Sequence, residues 1–254
     1  TLDQSYRIPG GPIHELSQKI INKVQNRFPK EYKPREEQGL LKRYSDITQV
    51  DMSSGNWLVL SSANYFLEDA KDLCEIQGWY YQCKGINSVP LKLLMALNNW
   101  EHWRKDELLN HLEIKNIYEY LGDNVLVGFQ KGKTLHSDAK YTLKECQDQH
   151  GLLTSNVWFE SFNGLDPMTE TYIRNMRANG ETLNKNPRIK MSTIHAAKGG
   201  EADNVLLMQD LTGAALETFS HDPDELHRLF YTGATRAKRE LHVLDPKDFD
   251  RAYI

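Results

Sequence analysis

The amino-acid sequence predicts an α/β fold, a parallel sheet flanked by helices, with a mostly helical insertion. Strand-like apolar runs alternate with amphipathic helices at both ends of the 254-residue chain, a pattern typical of doubly wound parallel sheets. The middle of the chain shows helical periodicity instead. These two observations predict one α/β domain that is interrupted by helices.

Apolar spacing and turn residues predict the first elements. Apolar side chains at helical spacing between Pro12 and Pro29 predict an amphipathic helix, because proline is favoured in the first turn and ends a helix. A short strand is expected at Leu40. An apolar run then predicts a buried strand, and a helix ends at Gly78 before another strand begins. Residues 57–82 are therefore expected to form one strand–helix–strand unit of a parallel sheet.

The same reasoning predicts the rest of the chain. The expected helices lie at residues 90–121, 139–149, 167–178 and 223–237, and the expected strands at residues 125–129, 188–192, 205–208 and 241–244. Asp222 and Pro223 open the last of these helices, because both residue types favour a helix start.

Composition limits the possible functions. With 31 Lys and Arg against 35 Asp and Glu, the net charge is −4, so bulk charge does not favour nucleic-acid binding and any DNA site must be a local groove. The three cysteines lack CxxC spacing, which disfavours a disulfide framework or a zinc site and predicts reduced thiols in a cytoplasmic compartment. No run approaches the ~18 apolar residues of a membrane span. The chain begins with Thr1 rather than Met, and we expect it to be part of a longer polypeptide.

A glycine-rich turn at residues 128–134 is similar to a phosphate-binding P-loop. It has three residues between its glycines, where the P-loop pattern has four. Because such a loop must surround a phosphate with consecutive backbone N–H groups, we favour a basic surface turn over a P-loop enzyme that uses Lys133.

A second glycine-rich segment lies between two predicted strands and contains His195, Lys198 and Glu201. Small residues beside charged ones are typical of a ligand-facing loop, although an ordinary strand–turn connection has the same residues. On the last helix, Arg228 and Arg236 are eight positions apart, about 80° around an ideal helix. They suit either phosphate binding or a solvated face.

Taken in order, these segments resemble UvrD/Rep-like superfamily 1 DNA helicases. LDQSYR at residues 2–7 resembles motif IV, TIHAAKGGE at residues 193–201 resembles motif V, and RLFYTGATRA at residues 228–237 resembles motif VI. Residues 58–81 are similar in layout to motif IVa. Gly200 stands where the family usually has leucine, and Ser61-Ser62 stands where it often has arginine.

The resemblance implies the second of two RecA-like domains, a P-loop NTPase fold whose P-loop lies on the first domain. Residues 1–85 and 186–254 would form this discontinuous domain, and residues 86–185 would form an inserted accessory subdomain. The implied ligand is ATP with Mg²⁺, whose metal ligands lie mostly on the first RecA-like domain of the same polypeptide.

The resemblance also implies roles for individual residues. Arg7 and Arg236 would be catalytic and would reach the γ-phosphate across the cleft. The residues expected to contact the nucleotide are Gln4, Tyr6, Gly199, Glu201 and Arg236, and those expected to contact single-stranded DNA are Ser62, Asn64, Thr193, His195 and Lys198. No metal ligand is expected in this chain.

The implied function is the C-terminal motor domain of an ATP-dependent DNA helicase that moves 3′ to 5′ and acts on single-stranded and partly duplex DNA. The isolated chain is expected to be inactive. The alternative is a non-catalytic RecA-like nucleic-acid-binding or interaction module. The joint presence of Arg7, Arg236 and Glu201 favours the motor, because a binding module needs no phosphate-directed residues.

Overall fold

The computed structural model describes residues 4–28, 33–127, 135–181, 186–197 and 199–253. The P-loop-like turn at residues 128–134 and the expected DNA contact Lys198 lie outside the described residues. The chain divides into two compact units, Thr1–Ile86 with Asn186–Ile254, and Asn87–Lys185.

The strands form one large sheet and two small ones. A seven-stranded sheet has the order β3-β11-β10-β4-β9-β5-β6, whereas β1 pairs with β2 and β7 pairs with β8. Their bounds are β1 Gln4–Gly10, β2 Lys33–Gln38, β3 Leu40–Tyr44, β4 Trp57–Ser61, β5 Tyr81–Cys83, β6 Ile86–Asn87, β7 Leu109–Asn110, β8 Lys140–Tyr141, β9 Ile189–Thr193, β10 Ala202–Met208 and β11 Ala237–Leu244.

The helices α1, α2, α8 and α9 belong to the unit that contains the large sheet. The helix bounds are α1 Pro12–Ile21, α2 Glu68–Gln77, α3 Leu91–Trp103, α4 His111–Tyr118, α5 Leu143–Gln149, α6 Trp158–Ser161, α7 Pro167–Ala178, α8 Gly213–His221 and α9 Pro223–Ala234. None of the helices in the described part of the chain is long and apolar enough to cross a bilayer.

The large sheet is parallel from β3 to β5, which confirms the predicted α/β fold. Alternate residues of a strand point to opposite faces, yet neighbours such as Val59 and Leu60 are both fully buried. Parallel sheets are typically covered on both faces, and this burial shows that the central strands are covered in that way.

Helices α1 and α9 cover one face of this sheet. Phe230 is 1% exposed and its ring stacks on Tyr253, with centroids 4.0 Å apart. A Cβ added at Gly233 would lie 2.9 Å from Leu207 Cδ1. Because that leucine is buried in the core, glycine is what lets α9 approach the sheet so closely at this point.

The predicted first helix is too long. It ends at Ile21 because the chain beyond it bonds elsewhere: the Gln25 and Asn26 amides donate to the buried Asp224 carboxylate at 2.7 and 2.8 Å. Arg228 donates to the Asn26 carbonyl at 2.5 Å. Tertiary hydrogen bonds thus replace the helical ones, and Arg228 holds this segment.

Other predicted elements also differ in the structure. The expected helix at residues 90–121 is two helices, because Asp106 has φ 65° and Asn110 begins α4 with a capping box to Glu113. Within the described residues, the expected strand at 125–129 is a 3₁₀ turn, Asp123–Val125, followed by a single bridge from Leu126. The strands β4 and β5 are parallel, but β9 lies between them.

The second unit has its own aromatic core. Trp100 and Trp103 are fully buried and pack edge to face at 6.0 Å. Their indole N–H groups donate to the Asn156 and Tyr141 carbonyls, each at 3.0 Å. Buried indoles normally need such partners, so these bonds fix both rings.

The buried His242 predicts how stability depends on pH. Burial, reinforced by Lys42, lowers the pKa of His242 from 6.5 to about 4. The unfolded chain therefore binds a proton that the folded chain does not between these pH values, and stability falls as pH drops through that window. The whole shift corresponds to roughly 3 kcal/mol, and we expect most of the loss by pH 5.

Urea unfolding at pH 7 and pH 5 measures this effect. His242→Gln should reduce the loss of unfolding free energy between the two pH values by about 1–2 kcal/mol. An exposed histidine variant, His221→Gln, serves as the control and should behave like the parent. Equal pH sensitivity in the parent and His242→Gln would contradict the assignment.

Candidate functional site

The parallel strands give the sheet two chemically different edges. We call the starts of β4, β9, β10 and β11 the amino edge, and their ends the carboxyl edge. Strands of five to eight residues at ~3.3 Å per residue place the edges roughly 15–25 Å apart. The sequence-predicted residues divide between these edges.

Three of the expected nucleotide-site residues meet at the amino edge. Glu201 and Arg236 immediately precede β10 and β11, which pair in parallel with Ala202 opposite Ala237. Arg7 reaches this point from β1 and forms an ion pair with Glu201. The second carboxylate oxygen of Glu201 lies 3.5 Å from Lys238 Nζ. Three segments that are distant in sequence thus place three cations around one carboxylate.

Arg236 is the most constrained member of this cluster. Its residue is 5% exposed, and its Nε has no hydrogen-bond partner among the described residues. Burial lowers the pKa of Arg236, the neighbouring Arg7 lowers it further, and Glu201 raises it. A buried N–H donor without an acceptor is costly, so this Nε is suited to an acceptor beyond those that the described residues offer it, such as an anionic ligand.

The other expected nucleotide contacts lie beside this cluster. Tyr6 precedes Arg7 on β1, is 82% exposed and offers its ring to solvent. Gln4 begins the same strand, opposite Lys33 of β2. Gly199 has φ 90° and open space where a side chain would be. This left-handed conformation favours glycine and lets the chain turn into Glu201.

Four of the expected DNA-facing residues lie at the carboxyl edge. Ser62 follows β4 and donates its hydroxyl to the Asp210 carbonyl at 2.6 Å. Thr193 ends β9, and its Oγ1 accepts the Ala196 amide at 3.3 Å. His195 and Asn64 are exposed. Hydroxyl, amide and imidazole groups therefore collect at this edge.

Sequence reasoning missed Tyr65, an exposed aromatic residue at the same edge. It lies in the 3₁₀ turn Asn64–Leu67, which contacts β4 and β9. Its side chain is 58% exposed, and its ring packs on Phe66 at 4.2 Å. The sequence feature that could have revealed it is the pair of adjacent aromatic residues, Tyr65 and Phe66, shortly after a buried strand. A short turn rarely buries two aromatic side chains, so one of them is expected to be exposed.

Two segments connect the edges. Residues 194–201 lead from the end of β9 to the start of β10, so His195 and Glu201 belong to one connection. Helix α9 runs from Pro223 to Ala234 and leads into Arg236 and β11. Glu201 and Arg236, which precede β10 and β11, are thus covalently continuous with the carboxyl edge.

The described residues contain no group of three or more His, Cys, Asp or Glu side chains that could hold a metal ion. The fit to a nucleotide rests instead on the guanidinium groups of Arg7 and Arg236. A planar guanidinium matches phosphate oxygens.

The burial of Arg236 predicts a stability effect. Replacing a buried, incompletely paired charge with an apolar residue is often neutral or stabilising. We expect Arg236→Met to keep the melting temperature unchanged or to raise it by about 2–4 °C. The exposed Arg239 supplies the control, Arg239→Met, whose melting temperature should stay within about 2 °C. A fall of more than about 4 °C in Arg236→Met would show that the guanidinium stabilises the folded chain.

Part of this chain also matches a known protein family. Residues 160–245 match the family described as the UvrD-like helicase C-terminal domain. The matched range includes Glu201 and Arg236, whereas Arg7 lies outside it. No curated protein matches the sequence. Residues 160–245 are therefore similar to the C-terminal domain of UvrD-like helicases, and the parallel sheet agrees with this similarity.

Proposed function

We propose that this chain is the second motor domain of an ATP-dependent DNA helicase and completes an ATP site on a first RecA-like domain of the same polypeptide. In this proposal residues 1–85 and 186–254 form the motor domain, and residues 86–185 form an accessory subdomain. The observation that supports it most is the meeting of Arg7, Glu201 and Arg236 at one edge of the sheet.

Arg7 and Arg236 would stabilise charge on a transferring phosphoryl group. In other nucleotide hydrolases such an arginine contributes about 10³–10⁵ in rate. The half-exposed ion pair between Arg7 and Glu201 is weak by itself, so Arg7 can exchange Glu201 for a phosphate. Glu201 would then be available for the nucleotide ribose, with Gln4, Tyr6 and Gly199 beside it. ATP hydrolysis would supply the free energy of each cycle, and Mg²⁺ would neutralise charge on the phosphates.

The carboxyl edge would hold the DNA backbone through neutral groups. Asn64, Thr193 and His195 can donate hydrogen bonds to phosphate and sugar oxygens without reading sequence. The Ser62 hydroxyl already donates to the Asp210 carbonyl, so Ser62 would line the same groove through its oxygen; we also keep Lys198 in this proposal. This arrangement agrees with a net charge of −4, since a local groove does not need a basic surface.

Coupling between the edges would follow from chain continuity. Residues 194–201 and helix α9 each join the carboxyl edge to a residue of the nucleotide cluster. Domain closure on the nucleotide would shift the amino edge and therefore the DNA contacts. We propose translocation from 3′ to 5′, which duplexes with a single 3′ or 5′ tail can distinguish.

The first prediction of this proposal concerns ATP turnover. In the polypeptide that joins this chain to its P-loop domain, Arg236→Ala should lower DNA-stimulated ATP turnover by about 10³-fold or more. Affinity for single-stranded DNA should be retained. The control Arg239→Ala should turn over ATP at the parent rate. Unchanged turnover in Arg236→Ala would exclude the arginine role.

The 254-residue chain provides a second test. We expect no appreciable ATP hydrolysis by this chain, with or without DNA, because the proposed ATP site needs the other domain. Robust DNA-stimulated hydrolysis that persisted in Arg236→Ala would contradict the proposed division of the site.

Two exposed tyrosines allow the edges to be separated experimentally. Stacking of a base on an aromatic ring is worth about 1–3 kcal/mol, so Tyr65→Ala should weaken single-stranded DNA binding by about fivefold or more. Tyr6→Ala should leave DNA affinity unchanged and raise the KM for ATP in the complete polypeptide. Fluorescence anisotropy and steady-state turnover measure the two effects. Equal effects of both substitutions on DNA affinity would contradict the assignment of separate edges.

A further inference from the structure

A small pocket opens at the carboxyl edge, between Ser62 and His195 on one side and helices α8 and α9 on the other. Its volume is about 220 Å³, below the ~300–1,000 Å³ of pockets for drug-sized ligands. A single flat ring system suits this size. The motifs that resemble the helicase family include only part of its lining, since α8 lies outside them.

The polar lining of this pocket consists mainly of hydrogen-bond acceptors. The Ser62 hydroxyl already donates to the Asp210 carbonyl at 2.6 Å, and the Thr218 hydroxyl donates to the Ala214 carbonyl at 3.0 Å. Their hydrogens are therefore committed, and their oxygens remain as acceptors. The Glu225 carboxylate, also in the lining, is acceptor-only when ionised. His195, in the same lining, adds an imidazole with one N–H donor and one acceptor nitrogen when neutral, so a complementary ligand presents N–H donors together with an acceptor.

The remaining lining is small and apolar. Ala214 and Ala215 come from α8, and Leu226 and Leu229 from α9. Such side chains pack against the face of a ring, whereas the acceptor oxygens can form hydrogen bonds with donors at its edge. A planar, amino-bearing group therefore fits both parts of the pocket.

We propose that this pocket holds a nucleobase with an exocyclic amino group, taken from the single strand at the carboxyl edge. The inference rests on the proposed DNA-binding function of this edge, because Ser62 and His195 belong to both surfaces. Carboxylates accept the N4 amino group of cytosine in known complexes. Uracil and thymine present carbonyl oxygens at the corresponding position, which Glu225 repels.

A protein partner's lysine would also satisfy the acceptors, but the surroundings favour a base. The exposed ring of Tyr65 lies at the same edge, and aromatic platforms beside polar grooves are typical of single-strand binding. The pocket also continues directly into Ser62 and His195 rather than standing apart from them.

Two probes that differ mainly at one edge of the base test the proposal. Anisotropy titrations would compare 12-residue oligo(dC) with oligo(dU) on the 254-residue chain at fixed salt. We expect oligo(dC) to bind about threefold to tenfold more tightly. Glu225→Gln should bring the two affinities together, because glutamine can also donate to the uracil carbonyl.

Glu217→Gln is the matched control, since Glu217 is an exposed carboxylate of α8 outside the pocket lining. It removes the same charge and should keep the preference for oligo(dC). Equal affinities of the parent for oligo(dC) and oligo(dU), or a preference for oligo(dC) that persists in Glu225→Gln, would overturn the proposed base pocket. Either result would leave the proposed DNA binding at the carboxyl edge intact. Absence of binding to either oligonucleotide would overturn the proposed DNA-binding edge itself, and the pocket with it.

Discussion

The shared direction of the central strands is the constraint on which the rest of this structure depends. Because β11, β10, β4 and β9 all run the same way, every residue that precedes a strand lies at one edge and every residue that follows a strand lies at the other. Arg236 and Glu201 belong to the first group, and Ser62 and His195 to the second. An antiparallel sheet with the same residues would mix the two sets.

The edges differ in how they bind charge. At the amino edge, Arg7, Arg236 and Lys238 surround a single carboxylate, Glu201, so the cluster has excess positive charge for an anion. At the carboxyl edge, the candidate contacts are mostly neutral, and binding there would depend less on salt than binding through lysines. This contrast agrees with one edge for a compact, highly charged ligand and another for a long strand that must slide.

Local signals predicted some elements well. Helix α7 has the predicted bounds, residues 167–178, because Asp166 caps it and Pro167 begins it. The predictions failed where distant residues decide the outcome. Helix α1 ends early because Asp224, about two hundred residues away in sequence, binds the following amides. The position of β9 between β4 and β5, and the strands β1 and β2, likewise depend on pairing that periodicity does not report.

The candidate site shows the same division. The motifs named Arg7, Glu201 and Arg236 separately, but only the fold shows that they are neighbours and that Arg236 Nε lacks a partner among the described residues. Their catalytic and binding roles stay predictions. Tyr65 lies within the stretch that resembles motif IVa, but that layout names no role for it, and the pocket beside Glu225 needs α8, which the sequence did not predict.

The close approach of α9 to the sheet at Gly233 has a mechanical consequence. With Leu207 directly beneath the glycine, the helix cannot slide along the sheet without a steric clash, because packed cores resist deformation. We therefore expect α9 and the strand beneath it to move together rather than slide past each other. A displacement imposed at Arg236 would therefore reach the far end of α9 with little loss.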